Sequence, residues 1–135
     1  MVMKLTSPGI DLGIVVSDLD RSLDFYRGLL GLHHEGSNPV PGVGTMHRLW
    51  AAESMIKLVG PDAPSTQPVV AGGLRAGAQG LRYFTFSVVE LEDLMAELKA
   101  SDVPVVQDII EMAAGVRIAI VADPDGNHVE FLERR

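Results

Sequence analysis

Four polar side chains each interrupt a stretch of the chain that otherwise alternates like a half-buried strand. Asp11 precedes Leu12, Ile14 and Val16, and Lys57 lies between Ile56 and Leu58. Tyr83 precedes Phe84, Phe86 and Val88, and Glu130 lies between Val129 and Phe131. Successive strand residues point to opposite faces, so each polar group opposes the apolar set of its own strand. Two carboxylates, an ammonium and a phenol set on such faces suit acid–base and electrostatic chemistry.

A second group reads as a ligand wall. Trp50 offers an apolar plate, Arg48 an anion-binding fork, and Met46 and Met55 flexible thioethers. For the methionines, packing is the slightly better reading. A two-residue turn at Ala52-Glu53 puts Arg48 and Trp50 on the face of Lys57 and His47 on the other face, whereas a slip of one residue reverses this. Thr85 shares the parity of Tyr83, and His128 that of Glu130; Arg117 is a weaker member of the wall. His33 and His34 are adjacent on a strand and cannot chelate as a pair. A lone histidine is more often a surface or hydrogen-bonded structural residue than a catalytic one.

The elements that must position these groups come in two similar sets. Residues 11–16 read as a strand, Ser17 and Asp18 as a helix cap, and Leu19, Leu23, Tyr26 and Leu30 as a helical stripe stopped at Gly31. A second strand is expected over 32–37 and a loop over 38–44, where Pro and Gly cluster. A hairpin follows, with arms at 45–51 and 54–59. In the second half, residues 83–88 read as a strand and Leu91, Leu94, Met95 and Leu98 as a helical stripe ended by Asp102-Val103-Pro104. Strands are expected over 103–110, 116–122 and 128–132, with a turn at Asp123-Pro124-Asp125-Gly126-Asn127. Shifted by 72 positions, Asp18-Leu19-Asp20 falls on Glu90-Leu91-Glu92, Leu23 on Met95 and Tyr26 on Leu98; shifted by 73, Ile56-Lys57-Leu58 falls on Val129-Glu130-Phe131. Matched order and spacing point to an internal duplication of a βαβββ unit. Module one covers about 8–60, a connector 61–79, and module two 80–135, within one α+β domain spanning 1–135.

Composition removes several classes of function. The chain has 135 residues, 47% of them hydrophobic, which is enough for a core. No apolar run approaches the ~20 residues of a membrane span, and residues 1–9 lack the plan of a signal peptide, so a cytoplasmic protein is expected. With no cysteine, disulfides, thiol nucleophiles and thiolate metal sites are out. A net charge of −7 without a Lys/Arg cluster speaks against nucleic acid as a partner.

The stretch Val15-Val16-Ser17-Asp18-Leu19-Asp20-Arg21-Ser22-Leu23-Asp24-Phe25-Tyr26 with Leu30-Gly31-Leu32, and the stretch Ala122-Asp123-Pro124-Asp125-Gly126-Asn127-His128-Val129-Glu130, resemble the vicinal oxygen chelate superfamily of glyoxalases, bleomycin-resistance proteins, extradiol dioxygenases and epimerases. The resemblance covers nearly the whole chain. It implies two tandem βαβββ modules that form a pair of cup-shaped half-barrels around a cavity, and a homodimer. It also implies that metal-binding relatives take one ligand, His or Glu, from the first and last strand of each module. Those positions here are Asp11, Lys57, Tyr83 and Glu130, of which only Glu130 keeps a usual ligand type. Lys57 is a cation at neutral pH and would repel the metal.

The expectation is a protein that binds a small organic molecule without a metal cofactor, the Lys57 ammonium taking the place of the ion and pairing with Asp11, Glu130 or both. As an enzyme it would be a metal-independent isomerase or lyase, with Glu130 or Asp11 as base, Tyr83 as acid or hydrogen-bond donor and Lys57 stabilising an enolate or oxyanion. The alternatives are a protein that only sequesters its ligand, and a metal-dependent glyoxalase, epimerase or dioxygenase with a modified ligand set.

Overall fold

The structure is a computed structural model that describes residues 1–135. The chain divides into two compact units, 1–67 and 68–135, each built around one open four-stranded mixed sheet. The architecture is α+β with two modules of the same element order, as the duplicated pattern predicts.

In the first unit β1 (Asp11–Val15) leads into α1 (Leu19–Leu23), which continues as a π-helical turn over Asp24–Leu29. β2 (His33–Val40), β3 (Gly44–Ala51) and β4 (Ser54–Pro61) complete it, in the sheet order β1-β4-β3-β2. The second unit begins with a short 3-10 turn at Gly73–Arg75. β5 (Tyr83–Ser87), α2 (Leu91–Ala100), β6 (Val105–Ala113), β7 (Val116–Ala122) and β8 (His128–Arg134) follow, in the order β5-β8-β7-β6. In both units the first strand pairs in parallel with the last, and the other pairs are antiparallel.

One face of each sheet holds the core. In the first unit Val16, Leu23, Phe25, Tyr26, Leu49, Ile56 and Leu58 are buried, and in the second Leu91, Met95, Leu98, Ala119, Val121, Val129 and Phe131. Each fully buried large side chain contributes about 1.5–3 kcal/mol relative to exposure, so the alternation of each strand decides which face turns inward. The opposite face carries polar and exposed residues, among them Asp11 and Tyr83, together with the buried Met55 and Ile118.

Three local expectations change. The first helix is not regular α-helix to its end: Leu30 N–H donates to Phe25 O, a wider i→i+5 closure. Gly31, in the left-handed region, follows Asp18 by thirteen positions, whereas left-handed Asp102 follows Glu90 by twelve. The π turn takes up this one extra residue and sets Phe25 and Tyr26 edge to face in the core, 4.8 Å apart.

The expected loop over 38–44 is shorter. β2 runs on through Asn38, Pro39 and Val40, which pair with Met46, Thr45 and Gly44. β2 is an edge strand, where a proline without an N–H is tolerated. Finally, Val103 belongs to the helix stop rather than to a strand. Its N–H reaches Leu98 O while Asp102 N–H reaches Lys99 O, and β6 starts only at Val105.

Candidate functional site

The open face of the first unit is organised around Lys57. The β3–β4 hairpin turns at Ala52-Glu53, with Ala52 in the left-handed region, and this fixes Arg48 opposite Lys57, Trp50 opposite Met55 and Met46 opposite Val59. On the other flank Gly13 faces Lys57 across the parallel pair and Asp11 faces Met55. Gly13 has no neighbour where a Cβ would sit, so the space beside Lys57 is open. Lys57 Nζ lies 3.0 Å from Asp11 Oδ2, and both side chains keep solvent access, 31% and 52%. Of the expected pairings of Lys57, the one to Asp11 is formed.

Arg48 and Trp50 share a partner that the sequence did not suggest. Trp50 Nε1 donates to Glu35 Oε2 at 2.9 Å, and Arg48 Nε lies 3.5 Å from the same oxygen. Arg48 also donates to Asn38 Oδ1. Glu35 sits where the β2–β3 register shifts, between His34 and Gly36, so a bulge brings it into reach. Gly36 makes room for the guanidinium, since a Cβ there would stand 3.3 Å from Arg48 Nη2. The readable signal was the glycine inside a strand pattern.

The histidines divide between faces. His33 pairs with Trp50 on the open side, while His34 pairs with Leu49 and His47 with Leu58 on the helix-covered side. Burial, together with His34 and Arg27, lowers the His47 pKa below the usual imidazole value against the opposite pull of Asp20.

The open face of the second unit carries Tyr83, Thr85, His128 and Glu130. Thr85 pairs with Glu130 and donates its hydroxyl to Glu130 Oε1 at 2.9 Å. Tyr83 pairs with His128 and is 44% exposed. The backbone of Gly73 lies against the His128 ring so closely that a Cβ would stand 2.1 Å from Nδ1, so one flank of this ring is covered.

Arg117 is not on the open face with the other members of the expected wall. β7–β8 pairing places it opposite Glu133, one step out of phase with Glu130, and therefore on the helix-covered face. There Arg117 Nη2 and Nη1 hold Glu133 and Glu92, each at 2.6 Å. Glu133 Oε2 also accepts from Leu91 N–H at 2.9 Å, so a strand carboxylate caps α2. That backbone bond first, and Arg117 second, hold the Glu133 pKa down at about 2. The same two carboxylates raise the pKa of Arg117. No sequence motif announces a cap supplied from 42 positions away.

The donor chemistry does not fit the divalent ion that the resemblance implies. The first unit offers a carboxylate already engaged by an ammonium, and that ammonium stands where the resemblance implies a ligand. The second offers a carboxylate, an exposed phenol and the partly covered His128 imidazole, and on neither face do three His, Asp or Glu side chains gather around one point. The open face of the first unit supplies a cationic fork and an aromatic plate, and that of the second a carboxylate held by a hydroxyl.

The family model of the Glyoxalase/Bleomycin resistance protein/Dioxygenase superfamily matches residues 10–131. No curated protein matches the chain. Among solved structures, the trypanothione-dependent glyoxalase I of Leishmania major is 29% identical, with a TM-score of 0.67 over 91% of this chain and 84% of that one. A lactoylglutathione lyase from Agrobacterium tumefaciens is 25% identical, with a TM-score of 0.64 over 92% and 91%. A glyoxalase family protein from Bacillus cereus is 19% identical with a TM-score of 0.82 over 98% and 96%, a likeness of fold. No helix of the chain is long and apolar enough to cross a membrane.

Proposed function

The chain belongs to the glyoxalase/bleomycin resistance protein/dioxygenase superfamily, and we propose that within it this protein binds a small organic anion without a divalent metal and acts on it as a metal-independent isomerase or lyase. The observation that carries the reading is Lys57, an ammonium bound to Asp11 where metal-binding relatives place a ligand. Arg48 directly opposite gives the same face a second cation, and Trp50 next to it gives a plate for a planar group. Both cations have carboxylate partners, Asp11 and Glu35, but these pairs are solvent-accessible. Such pairs are worth about 0–1 kcal/mol, so a ligand carboxylate or enolate can exchange into them at little cost.

In this reading Lys57 stabilises negative charge that develops on a ligand oxygen. Glu130 rather than Asp11 is the base, because Asp11 is committed to Lys57 whereas Glu130 is held only by the Thr85 hydroxyl. Tyr83 is the hydrogen-bond donor or acid. Met46 and Met55 adapt the wall to the ligand, and His128 borders it. The reading takes the protein as a cytoplasmic homodimer whose partners are small molecules, its charge of −7 speaking against nucleic acid.

Native mass spectrometry of freshly purified protein would identify a co-purifying molecule. An enolisable aromatic 2-oxo acid, phenylpyruvate, then serves as probe. Binding is expected to weaken in Lys57→Ala and Arg48→Ala. Exchange of the probe's α-proton with solvent deuterium is expected to be lost in Glu130→Gln while binding survives. Tight binding with unchanged probe and no exchange in the wild type marks a sequestering protein instead. Stoichiometric divalent metal that restores exchange after chelation overturns the proposal.

A further inference from the structure

We propose that His34 and His47 form a site for a divalent first-row transition-metal ion, in the cis geometry favoured by Cu²⁺ and Ni²⁺. His34 Nε2 and His47 Nδ1 lie 3.0 Å apart, on neighbouring strands of the first unit. The two residues are not opposite one another, since His34 pairs with Leu49 and His47 with Ser37. They are diagonal neighbours on one face, brought together beside the bulge at Glu35. Both are anchored to paired backbone, so the nitrogens are held near each other before any ion arrives.

The separation itself selects a geometry. With metal–nitrogen bonds of about 2.0–2.1 Å, nitrogens this far apart subtend about 90–100° at a shared ion. Square-planar and octahedral ions ask for about 90°, tetrahedral zinc for about 109°. Imidazole suits copper, nickel and zinc, whereas magnesium and calcium want oxygen. The preferred order is therefore Cu²⁺ and Ni²⁺ ahead of Zn²⁺, with no binding of Mg²⁺ or Ca²⁺.

Without metal, one ring donates an N–H to the other. Coordination needs a lone pair on both nitrogens, so that proton moves to the second nitrogen of its own ring and both imidazoles stay neutral. A modest turn of each ring off the nitrogen–nitrogen line lets the lone pairs converge. Apart from His34, the charged groups acting on His47 are Arg27 and Asp20, of opposite sign. The chain supplies two ligands and water the remainder. The site is on the helix-covered side of the sheet, whereas Lys57 is on the open side.

The test uses the full chain without an affinity tag and titrates Cu²⁺ alone, followed by calorimetry and electron paramagnetic resonance. One Cu²⁺ per chain is expected, with hyperfine splitting from two nitrogens. His34→Gln and His47→Gln should each weaken it by roughly tenfold or more, since either removes one of two coordinate bonds. His33→Gln and His128→Gln should leave it unchanged. If His47→Gln fails to fold, Cu²⁺ broadening of the ring resonances in the wild type decides, with His34 and His47 expected to vanish first. An unaltered Cu²⁺ spectrum in folded His34→Gln or His47→Gln, or broadening centred on His33, His128 or the amino terminus, overturns the proposal.

Discussion

Where the first unit carries Lys57 opposite Gly13, the second carries Glu130 opposite Thr85. The backbone positions are equivalent and the charges are opposite. Lys57 finds a carboxylate on its neighbouring strand, while Glu130 finds only a hydroxyl. The helix starts differ as sharply. Asp18 caps α1 from within, its side chain accepting from Arg21 N–H at 3.2 Å. The equivalent Glu90 makes no such bond, and α2 is capped instead by Glu133 of β8. At the matching place in β4 stands Gly60, with Leu19 packed where a side chain would begin, 3.2 Å from the nearest methyl. The apolar face of each sheet fixes the scaffold. Charges on the open face and at the helix start are then free to diverge between copies.

If the second unit relies on a distant carboxylate for its helix start, Glu133→Gln is the most damaging single change at either cap. It weakens the acceptor at Leu91 N–H and strips Arg117, itself only 14% exposed, of its main partner. A drop in Tm of several degrees at pH 7 is expected. The sign with pH follows from the depressed pKa. The ionised carboxylate stabilises the fold fully above about 4.5 and ceases to do so as pH falls through about 2. Melting curves between pH 5 and 2 should therefore show an acid slope in the wild type that is smaller in Glu133→Gln; an equal slope would sink the cap.

Lys57→Glu makes the open face of the first unit carry the same side chain as the second. It leaves two carboxylates beside each other with no cation between them. Phenylpyruvate affinity should fall by roughly tenfold, and Mn²⁺ affinity should rise by a comparable factor, because carboxylate oxygens suit that ion. Calorimetry with each ligand reads both changes. Unchanged Mn²⁺ affinity would show that Lys57 is not what keeps a metal out.

Asp18→Ala removes a cap that spans only three residues. About 1 kcal/mol should be lost in urea unfolding, the usual cost of an exposed cap. Glu90→Ala in the second unit removes no capping bond, so the two variants should differ although their positions are equivalent.

Much of this was legible where a single strand or turn decides the matter. The alternation of Leu12, Ile14 and Val16 and of Phe84 and Phe86 fixed which side chains face the helix, and the two-residue turn at Ala52-Glu53 fixed the register of Arg48 and Trp50. The repeat shifts of 72 and 73 residues matched the pairing of Lys57 and Glu130. What stayed hidden depended on single-residue irregularities or on long-range bonds. The bulge at Glu35 redirects a side chain by one position, which alternation alone cannot reveal. The π turn conceals an inserted residue inside an unbroken apolar stripe. Arg117 was misplaced because the mate that claims it, Glu133, sits one residue out of phase with Glu130 and could be ranked only once β7 and β8 were paired. The sequence marks Asp123 only as part of a turn, yet it accepts from Asp125, Gly126 and Asn127 and so organises that turn.

The smallest effect tests how the second unit tolerates its unusual helix start. Glu90 has φ +55°, in the left-handed region that most L residues avoid, and its side chain makes no capping bond to offset the strain. Glu90→Gly relieves that strain and costs some chain entropy, for a net gain of about 0.5–1 kcal/mol in urea unfolding. Strained backbone persists only where its surroundings impose it, and the contact that adjoins it here is the bond from the next residue's N–H to Glu133. In a Glu133→Gln background the turn can relax by itself, so the gain from Glu90→Gly should shrink. A gain of equal size in both backgrounds would mean that the strain at Glu90 comes from the β5–α2 connection itself, and that the distant cap merely accommodates it.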